Sequence, residues 1–200
     1  TESTEVKRDP AELALDAEIG TMARAIFGAL PEKAENPENP ITPAKVKLGK
    51  ILYFDKRLSL NNTQSCNTCH NLETFGVDNK ATSEGDLGKN GERNSPTVLN
   101  AAFHSFQFWD GRAKDVEEQA GMPITNPVEM NIPNEDFLVE RLSGIELYKT
   151  LFSDAFGSDA ITYHNIELAI GAFERTLTTP SRFDDYMKGD DAALTFNEKK

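Results

Sequence analysis

Apolar residues along the chain recur mostly three or four positions apart. No credible run alternates apolar with polar residues, so the pattern predicts an all-α fold with long loops. From Pro10, the positions Leu13, Met22, Ile26, Phe27 and Leu30 define a first helix that Pro31 ends. Thr42 followed by Pro43 reads as an N-cap with proline at the first helical position, opening a helix that carries Leu48, Ile51, Leu52 and Phe54. Asn134 caps a helix through Phe137, Leu138 and Leu142 that stops at Gly144, and Leu147, Leu151, Phe152 and Phe156 mark the next, stopping at Gly157. The longest helix is expected after Thr162, carrying Ile166, Ala169, Ile170, Phe173 and Leu177. Ser95-Pro96 predicts another short helix. Residues 1–9 read as a polar, mobile tail and 31–40 as a linker. Thr195 and Glu198 have the spacing of a capping box, so a helix opens where the chain stops and a continuation is expected.

Gly76, Gly85, Gly88 and Gly91 punctuate residues 71–96, and a loop of that length inside a compact domain is usually functional or disordered. With 200 residues, 38% hydrophobic and 27% charged, the chain can bury one large core or two small ones. The net charge of −12, with 21 Lys and Arg scattered along the sequence, argues against nucleic acid, which needs a basic stripe. An acidic surface would attract a basic face on a partner, or serve only solubility. No stretch approaches the roughly 18 apolar residues of a membrane helix, and no charged, apolar and small-residue signal opens the sequence.

The only two cysteines decide the chemistry. Their spacing alone is compatible with a disulfide, a redox pair or half of a zinc site, but Cys66-Asn67-Thr68-Cys69-His70 is the C-x-x-C-H signature of covalent haem attachment. Two thiols on one turn of backbone can each add to a porphyrin vinyl group while the next imidazole meets the iron. A thioredoxin-like pair would need a βαβ context, and a zinc site two more ligands. His104 lies among aromatic residues and reads as a packed or surface histidine; His164, near a helix start, reads as a capping or exposed one.

Several motifs then follow in one order: the run LGKILYFD from Leu48, the haem motif, Gly91-Glu92-Arg93-Asn94-Ser95-Pro96-Thr97, Trp109-Asp110-Gly111-Arg112, Glu118-Gln119-Ala120, Pro127-Val128-Glu129-Met130 and Phe173-Glu174-Arg175-Thr176-Leu177. From about residue 41 onward this order resembles the bacterial di-haem cytochrome c peroxidases, which include the methylamine-utilisation oxidases. The resemblance implies a cytochrome c-like peroxidatic haem domain over 41–180, after an N-terminal extension and linker over 1–40. Residues 181–200 would begin a second haem domain, for which the chain holds no motif.

By the same resemblance, Glu129 is the distal acid-base residue, Gln119 its hydrogen-bonding partner and Trp109 the indole between two haems. Trp109 is also expected in the core with Phe103, Phe106 and Phe108. Arg112 is expected to meet a haem propionate or a structural ion-pair partner, and Asn94 to bind calcium. Asp86 stands where the family's displaceable histidine is expected, and aspartate is a poor replacement for imidazole on iron. The implied function is reduction of hydrogen peroxide to water, with electrons from a small cytochrome c or copper protein, in the periplasm; a homodimer is left open. Two alternatives remain open: an electron carrier with Met122 or Met130 as sixth ligand, and an oxidase acting on a partner protein.

Overall fold

The structure, a computed structural model, describes residues 9–200; the expected tail, save Asp9, lies outside the described residues. Two compact units are present. One gathers the residues up to Glu32 with Thr179–Lys200; the other is Lys33–Thr178.

In the first unit, α1 (Pro10–Ile26) starts where the Asp9 side chain accepts a hydrogen bond from Ala11 and proline occupies the first turn. Its 17 residues make it the longest described helix, not the one after Thr162. It stops a turn short of Leu30, because Phe27 turns to extended backbone and packs edge-on against Phe183, while the Leu30 amide donates to Asp184 at 2.7 Å. Capping boxes at Ser181/Asp184 and Thr195/Glu198 open two short helices, α8 (Arg182–Met187) and α9 (Phe196–Lys199).

The second unit contains α2 (Pro43–Phe54), α3 (Cys66–Cys69), α4 (Val116–Thr125), α5 (Glu135–Ser143), α6 (Glu146–Phe156) and α7 (Tyr163–Glu174). Side chains of Thr42, Asp115, Asn134 and Thr162 cap α2, α4, α5 and α7. Leu48 and Leu52 of α2 meet Ile166 and Ile170 of α7 in a fully buried core, joined by Ile124, Leu138, Leu142 and Phe152. The crossing of α2 with α7 is close because residue 49 is glycine: a Cβ there would lie 1.9 Å from the Ala169 carbonyl oxygen. A second apolar cluster of Tyr53, Val98 and Phe173 packs against Cys66.

The long loops are real, and among the described residues strand pairing is limited to isolated bridges, Glu84 with Asn90 and Gln107 with Ala113. The helix expected at Ser95-Pro96 does not form. The carbonyl of Pro96 and the hydroxyl of Thr97 are instead used to hold His70 and Phe75, which needs an open backbone. The helix after Thr162 ends at Glu174, three residues before Leu177, in a turn where Leu177 donates to Glu174. Among the described residues, no helix is long and apolar enough to cross a membrane.

Candidate haem cavity

The short helix α3 exists to present the motif. Ser65 and Thr68 close a capping box at its start, and His70 ends it, with the His70 amide donating to Cys66 at 2.9 Å. Residues three apart share a helix face, so the two thiols point the same way, and both are free. Burial pushes both thiols above their ordinary values, the opposite of the lowered pKa that a redox or nucleophilic cysteine needs.

The His70 ring is oriented by a carbonyl. Its Nδ1 lies 3.0 Å from the oxygen of Pro96. A carbonyl can only accept, so Nδ1 carries the proton and Nε2 keeps its lone pair. Burial holds the imidazole below its ordinary pKa, which keeps it neutral as a metal ligand must be. Behind it the Tyr53 hydroxyl donates to the His70 carbonyl at 2.6 Å, tying the ligand to α2.

Cys66, Cys69 and His70 line one cavity of about 820 Å³, within the size range of cofactor sites. Two free thiols on one face, a neutral imidazole with the correct nitrogen available and a cavity that all three share together fit a covalently held haem. Nothing in this donor set would suit zinc better, and among the described residues no three His, Cys, Asp or Glu side chains gather to hold a metal ion.

Gln119 and Glu129 lie on the wall of the same cavity. Gln119 comes from α4. Glu129 comes from the turn after it, where its amide donates to Asn126 at 3.0 Å and its carbonyl accepts from Asp86 at 2.7 Å. Gly85 makes this approach possible, since a Cβ at that position would stand 1.9 Å from the Val128 oxygen. Burial raises the Glu129 carboxyl above its ordinary value, while the Arg112 charge and a hydrogen bond from Asn126 oppose the rise.

The loop between Gln107 and Ala113 carries two other expected site residues, Trp109 and Arg112. Trp109 lines the cavity but is 65% exposed, and Phe106 is 61% exposed, so the aromatic core expected around the indole is not formed. Phe108 and Gly111 both adopt positive φ in this loop, and the indole N–H donates to the Asn94 carbonyl at 2.8 Å. Arg112 also lines the cavity, pairs with Asp110 at 2.9 Å and stacks over the Phe108 ring. Hydrogen bonds from Arg93 and Arg112 hold Asp110 down to about 2. Asn94 is on the wall as well, its amide nitrogen donating to the Lys80 carbonyl at 2.6 Å.

Asp86 is not over the cavity. Its carboxylate accepts from the Thr63 hydroxyl at 2.6 Å and from the Asn61 side chain at 2.8 Å, and the residue is 8% exposed. Burial alone would raise this carboxyl, yet those hydrogen bonds keep it below its ordinary value. Of the two candidate methionines, Met130 is buried on the cavity wall and Met122 is outside the lining and 37% exposed. His104 is exposed, and so is His164, which stands 3.5 Å from Glu167 in the first turn of α7.

Three contributions escaped the sequence: Tyr53, the Pro96 carbonyl and Glu174. Tyr53 and Glu174 fall inside the motifs already quoted, but nothing in their spacing says that one ties down a histidine or that the other lines the cavity.

A family model of the di-haem cytochrome c peroxidases matches residues 43–192. Cytochrome c551 peroxidase of Pseudomonas aeruginosa is 49% identical over 183 residues, covering 89% of this chain and 52% of that protein. The methylamine utilization protein MauG of Methylophilus methylotrophus is 41% identical over 163 residues, covering 81% of this chain and 48% of that protein. Among solved structures, a MauG-like protein associated with microbial copper homeostasis superposes with a TM-score of 0.73 at 31% identity, covering 82% of this chain and 49% of that one. The chain thus spans about half the length of the curated relatives it matches. With the matched stretch taking in the CNTCH turn, the Glu129 turn and all of α7, the chain belongs to the di-haem cytochrome c peroxidase family.

Proposed function

We propose that this chain provides the haem site at which a bacterial cytochrome c peroxidase reduces hydrogen peroxide to water. The observation that carries the reading is the sharing of one cavity by Cys66, Cys69, His70, Gln119 and Glu129. When bound, the haem supplies the iron site for peroxide and passes on the electrons that cleave it. His70, with Nδ1 engaged by the Pro96 carbonyl, would offer Nε2 to the iron. Glu129 would take a proton from one oxygen of peroxide and return it to the other as the O–O bond breaks; over the whole reaction, two electrons from the donor and two protons from solvent turn one peroxide into two waters. Gln119 can hold the substrate by hydrogen bonds but cannot titrate. Trp109, at the exposed edge of the cavity, offers an indole for electron entry, and Arg112 a cation for a propionate once it loosens from Asp110.

The donor is proposed to be a small cytochrome c or copper protein; the naming of the relative as a cytochrome c551 peroxidase supports the first. Attachment of haem c outside the cytoplasm supports a periplasmic location. Calcium at Asn94 rests on the family resemblance, with backbone oxygens or residues outside this chain as its remaining ligands.

The test is Glu129→Gln, which keeps size and hydrogen bonding but removes the proton transfer. Stopped-flow mixing of the haem-loaded variant with peroxide should show a rate lowered roughly 100- to 10,000-fold. A wild-type rate in a fully loaded variant would rule out the role. The burial of Met130 on the cavity wall supports a second reading, a His/Met electron carrier, which would show as peroxide inertness with a low-spin iron. The 41% identity to MauG supports a third, an oxidase acting on a partner protein.

A further inference from the structure

Glu174 closes α7 with its side chain on the wall of the haem cavity, and the residue is only 7% exposed. A carboxylate at that place is poorly served. The carbonyl end of a helix disfavours negative charge. The adjacent cation is already spent, because Arg175 makes two hydrogen bonds, of 2.7 and 2.6 Å, to the carboxylate of Glu117. The groups that face Glu174 are Tyr53 from α2, Cys66 from α3, Glu117 from α4 and Arg175 next in the chain; His70, Arg112 and Glu129 line the same cavity. Arg112 is paired with Asp110.

We propose that Glu174 is the redox-linked proton site of the haem cavity: its carboxylate takes up one proton from solvent when the haem bonded at Cys66 and Cys69 gains one electron, and releases it when that electron leaves. The inference rests on the haem reading above. Burial, joined by the Glu117 charge and opposed by Arg175, pushes the carboxyl up to about 8, so that proton exchange falls near neutral pH. A one-electron donor reduces ferric iron to ferrous while an O–H bond forms on Glu174 at the expense of a proton carried by water or buffer. The charge inside the cavity is then unchanged by the electron's arrival, which avoids placing an uncompensated charge in a low-dielectric site. The carboxylate stabilises the ferric state, so the haem is harder to reduce at high pH than at low pH.

The experiment is a potentiometric titration of the haem-loaded full chain on both sides of neutrality, followed by the haem absorption, for wild type, Glu174→Gln and Glu174→Asp. The wild-type reduction equilibrium should shift as much as tenfold per pH unit, about 59 mV for a one-electron couple. Glu174→Gln should be flat over the same window and easier to reduce than wild type at high pH. Glu174→Asp should keep the slope with its window displaced. A wild-type slope retained in Glu174→Gln would place the proton on Glu129 or a propionate and overturn the proposal, as would a flat wild type. Redox-difference infrared spectra give a second readout on protein that needs no substitution to fold: a protonated-carboxyl band must grow on reduction, and its absence overturns the assignment. A chain with no covalent haem defeats the haem reading along with this one, whereas a loaded chain with a flat potential defeats this one alone.

Discussion

At the scale of single residues, the electrostatics of Glu129 make a specific demand. A base must be ionised to accept the peroxide proton, and burial has raised this carboxyl above its ordinary value. Activity should therefore fall as pH drops through that raised value. The Arg112 charge opposes the rise, so Arg112→Gln should move the acid limb of the peroxide rate profile to higher pH without changing its steepness; an unmoved limb would separate the two residues. Residue identity was legible in the sequence where chemistry fixes spacing, as at Cys66, Cys69 and His70. It was not legible for the Pro96 carbonyl, Tyr53 or Glu174, because these act through tertiary placement. Asp86 stands where the resemblance places a displaceable histidine, and the sequence says only that aspartate is a poor ligand for iron; what it does not say is that Asn61 and Thr63 draw the carboxylate into a loop tie.

At the scale of elements, the helices with apolar periodicity and a clean cap, α2, α5 and α6, were readable to within a residue. Helix α4 was not. Val116, Ala120 and Ile124 have the correct spacing behind the Asp115 cap, but the helix went unnamed in the sequence pattern, and Pro123 inside it forgoes the bond that an amide there would make to the Gln119 carbonyl. What no periodicity can reveal is the closeness of two helices. Gly49→Ala would drive a methyl group into the Ala169 carbonyl, and overpacking of this kind should cost about 1–3 kcal/mol or more in denaturant unfolding. Gly157→Ala, at a helix end with open space around it, should cost only the strain of its positive φ, about 1–2 kcal/mol.

The buried pair joining α4 to α7 gives a further prediction. Glu117→Ala would strand the Arg175 guanidinium, whose side chain is 7% exposed, at a cost of about 3–5 kcal/mol. Although burial pushes the Glu117 carboxyl up, Arg175 and Asn39 hold it below its ordinary 4.5. Its stabilisation is thus present above 4.5 and lost as pH falls through the lower folded value, so wild type and variant should converge in stability on acidification.

At the scale of the whole molecule, the cavity that Cys66, Cys69 and His70 share lies within the unit Lys33–Thr178, with Gln119 and Glu129 also on its wall and the exposed indole of Trp109 in its lining. With Asp86 turned away, the loop supplies no imidazole to close the iron, so the resting ferric protein should be high-spin and react with peroxide before any reductant is added. A low-spin resting spectrum that opens only on reduction would count against that. The central claim, that this cavity holds a haem bonded through its own cysteines, has a more direct test in the intact mass of the acid-denatured chain expressed with a haem-attachment system. The wild-type polypeptide should carry the mass of one haem, and the Cys66→Ala/Cys69→Ala chain should not; a wild-type chain at its bare sequence mass, with haem released to the solvent, would contradict the account.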